Sequence, residues 1–156
     1  EGVGQLAVMS NEMAIFAGSA MLGVSIATVV PADLFDGLVV SGWGSYLIAA
    51  AGLLIMPLFS MAGVIPITVL SVQSGMLAQL VASGADPMLV AIGLVIGFSL
   101  AMMVSPFGPS VMLLSRFGQV SRNVVAFQWN GVFVLLVVPL LLLLLAVFAV
   151  ILPAPG

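Results

Sequence analysis

The chain has no cysteine and no histidine, and its 156 residues hold only two basic and five acidic side chains. Without cysteine there is no disulfide and no thiolate metal site; without histidine the commonest general base and zinc ligand are gone. A serine nucleophile at Ser105 or Ser110 would find neither histidine nor lysine to activate it, so no enzyme is expected. Two positive charges cannot carry the phosphate contacts of nucleic-acid binding. Charged residues make up 4% of the chain, against about a quarter in a soluble domain, so no polar shell can surround a core of this size.

What is present is apolar: 63% of the residues. Such a surface needs lipid as its solvent. Hydrocarbon offers no partner to free backbone groups, which leaves helices or a closed barrel, and the long unbroken apolar runs exclude the period-two alternation of barrel strands. The net charge of −3 matters less than where the charges stand. Glu1-Gly2-Val3-Gly4 carries neither a starting methionine nor a signal peptide's basic region, and reads as a truncation point or as the end of a processed chain.

Four segments follow in one transmembrane domain. The first helix is expected over 12–31, where Met13 to Val30 is broken only by small residues and stops at Pro31, before Asp33 and Asp36. Residues 45–82 form two arms around Ser60-Met61-Ala62-Gly63-Val64-Ile65-Pro66. Each arm looks short for a span, which points to a re-entrant hairpin, with two full spans joined by a tight turn as the alternative. Thr68, Ser71, Ser74 and Gly75 fall on one face of the second arm. Asp86-Pro87 is a helix start that opens a helix over 87–117, interrupted at Ser105-Pro106-Phe107-Gly108-Pro109-Ser110, where two prolines remove donors. Ser115 to Asn123 is the one polar stretch and holds both arginines; a terminal helix over 123–152 completes the chain. The fold class is thus all-α integral membrane: three spanning helices plus a re-entrant helical hairpin, one spanning helix being broken at Ser105–Ser110.

Arg116 and Arg122 are expected on the cytoplasmic side. The terminal helix then runs outward, the C-terminus lies outside, and Asp33, Asp36 and Asp86 lie outside as well. The two breaks are where chemistry is expected. Backbone groups freed inside hydrocarbon are costly unless the break lines a cavity, where helix N-termini face anions and carbonyls and hydroxyls can hold a cation. Facing each other, the breaks would form a site at mid-membrane; prolines that merely kink packed helices are the competing account. Ser60, Gly63, Pro66 and Thr68 of the first break, with Ser105, Pro106, Gly108, Pro109 and Ser110 of the second, are the candidate substrate- and ion-binding residues.

The order of long helix, short-armed hairpin, proline-broken helix and terminal helix resembles the second repeat of the ion transporter superfamily, whose best-known members are divalent-anion/sodium symporters. Their hairpin tip carries Ser-Asn-Thr where this chain has Ser60 to Thr68 without asparagine, and their broken helix a Gly-Thr-Pro-type motif where this chain has Ser105 to Ser110. The resemblance implies the C-terminal half of a secondary active transporter that takes up or exchanges a small anionic solute. It also implies a coupling ion, Na+ or H+, with no other cofactor, and an N-terminal repeat that completes the site. A homodimer in the lipid bilayer of a bacterial inner membrane is expected. The alternative is a membrane scaffold or accessory permease subunit without a substrate site of its own.

Overall fold

A computed structural model describes residues 43–82 and 84–151, together with positions 13, 14, 17, 18, 21, 22, 25, 28 and 29. Those nine positions, all helical, are what is described of the helix expected over 12–31; Asp33 and Asp36 lie outside the described residues. The described chain is helical, with no strand. Helix α1 is Gly44–Met61, α2 Pro66–Ala82, α3 Pro87–Val104 and α4 Pro109–Gly118; a π-helical turn, Val124–Trp129, leads into α5, Asn130–Ile151. Three stretches are long and apolar enough to cross a membrane: Gly44–Met61, Pro87–Gly118 and Val124–Ile151. The first arm of the expected hairpin is therefore of spanning length by itself, because the helix runs unbroken through Pro57 to Met61.

Local chemistry sets the boundaries. At the end of α1, Gly63 adopts φ 98, its N–H donates to Ser60 O at 3.2 Å and Val64 N–H to Phe59 O at 3.0 Å, the paired bonds of a Schellman stop. The end of α2 repeats this: Gly84 has φ 101, its N–H meets Val81 O, and Ala85 N–H meets Leu80 O. Pro87 then opens α3 with Asp86 as cap, whose carboxylate accepts from Leu89 N–H at 2.8 Å. A proline ends α3 from the other side. Ser105 precedes Pro106 and is pushed to extended backbone, ψ 120, which the helix cannot continue through.

Helices α1 and α3 run parallel in close contact. A Cβ at Gly93 would sit 2.4 Å from Ala49 O, and one at Gly97 would sit 2.9 Å from Gly52 O. The helices approach to where no side chain fits, as small-residue interfaces in membranes do. Helix α2 returns antiparallel against them, with Val69 and Leu80 in one cluster with Met56, Ile48 and Val90. Helix α5 also runs antiparallel, from Val134 beside Leu100 and Val104 to Leu145 beside Ala49 and Leu89. Its outer surface is bare, Leu135 and Leu136 being about three-quarters exposed at 76% and 74%.

The bundle has two distinct ends. At one, Trp43 packs edge-on to Tyr46 and shares a shallow cavity with Val147 and Ile151, and Ser45 Oγ accepts from Asp86 N–H at 2.9 Å. At the other stand the π-helical turn with Trp129 half exposed, helix α4, and exposed Arg116 and Arg122. Aromatic residues bracket the apolar slab at both ends, as interfacial belts do.

Candidate functional site

Because α1 and α3 are parallel and in register, the breaks that follow them, residues 62–65 and 105–108, lie side by side at the arginine-bearing end. The contact is direct: a Cβ built on Gly63 would lie 3.5 Å from Phe107 Cε2, so the bend of the first break rests on the ring carried by the second. Each break ends in a proline that opens the next helix, Pro66 for α2 and Pro109 for α4.

Ser60 belongs to the last turn of α1 and is fully buried, yet its Oγ has no hydrogen-bond partner. Two other helical serines satisfy themselves on their own helices: Ser71 Oγ donates to Ile67 O at 2.9 Å and Ser99 Oγ to Val95 O at 2.9 Å. Ser60 departs from that habit at the place where the two breaks meet. In the second break Ser105 is equally buried; its N–H donates to Ala101 O at 2.9 Å and its Oγ accepts weakly from Phe107 N–H at 3.4 Å. Gly108 fits where a side chain would not, since a Cβ there would come within 2.7 Å of Met102 O and 3.1 Å of Ser105 O. No side chain caps α4, whose first residue, Pro109, has no N–H and whose Met112 N–H donates to Gly108 O at 2.9 Å.

The candidate residues divide by position. Ser60, Pro66, Ser105, Pro106 and Gly108 are buried, Thr68 is half-buried, and Gly63, Pro109 and Ser110 are exposed. Gly63 touches the second break, and Ser60 and Ser105 end neighbouring helices. The stripe on α2 is less available than its composition implies, because Ser71 Oγ and Ser74 Oγ bond to their own helix, the latter to Ser71 O at 3.1 Å.

Asn130 has a role that the sequence did not announce. Its Nδ2 donates to Met103 O at 2.8 Å, which ties the start of α5 to a carbonyl in the last turn of α3. The available signal was an amide in the most hydrophobic run of the chain, where a polar group in lipid needs a partner. Among the described residues no group of His, Cys, Asp or Glu could hold a metal ion, so the oxygen donors at the breaks are hydroxyls and carbonyls. The chain matches no known family model, no characterised protein and no solved structure, which leaves this geometry to carry the functional reading.

Proposed function

We propose that the chain is one repeat, the C-terminal half, of an integral-membrane secondary transporter, and that the paired breaks are its share of an ion-coupled site for a small anionic solute. One observation carries the reading: the loops that lead into two proline-opened helices meet where Gly63 faces the Phe107 ring, and the buried Ser60 hydroxyl, three residues before Gly63, has no partner. An unpaired hydroxyl is costly in an apolar interior. A solute or ion held between Ser60, Ser105 and the uncapped start of α4 would remove that cost, and helix N-termini favour anions.

The same geometry supports two crossings by α1 and α2 in place of a re-entrant hairpin. Eighteen residues of α1 extend about 27 Å at helical rise, close to a ~30 Å hydrocarbon core. Helix α2 then returns the chain to the level of Ser45, where Asp86 is bonded. With the arginines cytoplasmic, the site opens at the cytoplasmic mouth and not at mid-membrane, and Asp86 and the end of α5 face outward.

The test is uptake of radiolabelled succinate into proteoliposomes holding the full-length protein, with and without an inward Na+ gradient. Gradient-driven uptake is expected, falling at least tenfold in Ser60→Ala and Ser105→Ala while substitution of the exposed Ser74 leaves it unchanged. Uptake unaffected by both buried substitutions removes the site; no uptake of the dianion by the native protein removes the solute class.

A further inference from the structure

Both arginines stand on one short piece of chain at the end of the bundle. Helix α4 leaves the axis of α3 and keeps both its ends against the π-helical turn that opens α5: Val111 is buried with Val125 and Ala126, and a Cβ on Gly118 would lie 3.4 Å from the Trp129 ring. The face turned away from Val111 carries Leu113, Arg116 and Phe117, within about 100° of one another at helical spacing. All three are exposed, Phe117 to 80%. The turn after α4 is closed by its own bonds. Gln119 takes the left-handed conformation, φ 51, Val120 N–H donates to Ser115 O at 3.2 Å, and Ser115 Oγ donates to Val120 O at 2.7 Å. Arg122, two residues past Val120, is exposed as well.

Neither arginine forms an ion pair with a described residue, and the one acidic side chain among the described residues, Asp86, stands at the opposite end of the bundle beside Ser45. Two cations therefore remain uncompensated next to an apolar face. Water alone would leave Leu113 and Phe117 uncovered, and hydrocarbon alone would leave the guanidinium groups without an acceptor. Both needs are met at the boundary of a bilayer, where acyl chains cover the apolar side chains and lipid phosphates take the arginines. A zwitterionic headgroup brings its own cation, whereas an anionic one supplies the charge this end lacks. We propose that α4 and the turn after it bind an anionic phospholipid, its acyl chains along Leu113 and Phe117 and its headgroup on Arg116 and Arg122. Such binding requires the chain to lie in a bilayer and is independent of any transported solute.

The chain's two tryptophans, Trp43 packed on Tyr46 and Trp129 beside Gly118, stand at opposite ends and serve as control and probe. The full chain is placed in nanodiscs of phosphatidylcholine and phosphatidylglycerol in equal amounts, with one lipid or the other brominated high on an acyl chain. Quenching of tryptophan fluorescence then reads which lipid lies beside the ring. In Trp43→Phe, which leaves Trp129, phosphatidylglycerol is expected to be preferred about 25-fold, roughly fivefold for each arginine. In Trp129→Phe, which leaves Trp43, no preference is expected. Arg116→Gln or Arg122→Gln, made in Trp43→Phe, lowers the preference about fivefold, and the double substitution abolishes it. Equal quenching of Trp129 by both lipids, a preference that survives the double substitution, or an equal preference at Trp43 overturns the proposal. So does a Trp129 that neither lipid quenches, since protein would then cover α4. Should Trp129→Phe fail to fold, Trp43→Phe and its arginine variants still decide.

Discussion

At the scale of single residues, backbone contact and unpaired polar atoms dominate. Gly93 has no room for a side chain, because a Cβ would stand 2.4 Å from Ala49 O and 2.9 Å from Ala49 Cα, neither of which can yield without moving α1. Gly131, by contrast, has its nearest neighbour at 3.6 Å. Gly93→Ala is therefore expected to cost more than about 2 kcal/mol, and Gly131→Ala less than ~1 kcal/mol in either direction. Reversible unfolding in mixed micelles titrated with SDS measures both; equal costs would show that α1 and α3 are not in backbone contact. The small-residue spacing of Gly93 and Gly97 was legible as a packing face. Which helix it met was not, since glycine spacing says that something comes close without saying what. Ser60 and Gln73 were likewise visible as polar residues, while their lack of partners was not, because a hydroxyl or amide in sequence carries no record of what it faces.

At the scale of elements, sequence signals for starts and stops correspond closely to the observed boundaries. Asp86-Pro87 opens α3, and Gly63 and Gly84 close α1 and α2, since each is a local matter of φ and of a single cap bond. Asp86 joins two functions, capping α3 through Leu89 N–H and donating its own N–H to Ser45 Oγ of α1. Asp86→Ala is expected to cost about 1 kcal/mol, and Asp86→Asn to retain most of the cap, asparagine being as good an N-cap as aspartate. Thermal unfolding of both in one detergent checks this, and parity between them would deny the cap its role. The length of α1 was less legible. Pro57 lies inside the helix, which packing against α3 carries on to Met61, and tertiary contact outweighs local propensity where a helix is held along its length. The break after α3 was legible because a residue before proline leaves the helical region whatever surrounds it.

At the scale of the whole molecule, charge and aromatic residues set the two ends. The sequence has no cysteine, so introduced thiols are read singly. A cysteine at Met88, exposed near the start of α3, is expected to react with an impermeant maleimide on intact cells, and one at Ser121, exposed between the arginines, only after permeabilisation. Labelling of both from the same side would overturn the orientation and with it the cytoplasmic opening of the breaks.

The sequence by itself determined the solvent and the class of element, because charged residues at 4% of the chain are too few for water, against about a quarter in a soluble domain. It also determined where helices stop, since prolines and glycines act on the chain within a few residues. Only the tertiary structure decided that the two breaks share one level. That follows from the parallel register of α1 and α3, which rests on Gly93 and Gly97 meeting the backbone at Ala49 and Gly52, a contact between residues more than forty positions apart. It alone decided, too, that Asn130 reaches Met103 O and that Gln73 Oε1 is buried without a partner, because a hydrogen-bond partner is a property of position in space and not of neighbours along the chain.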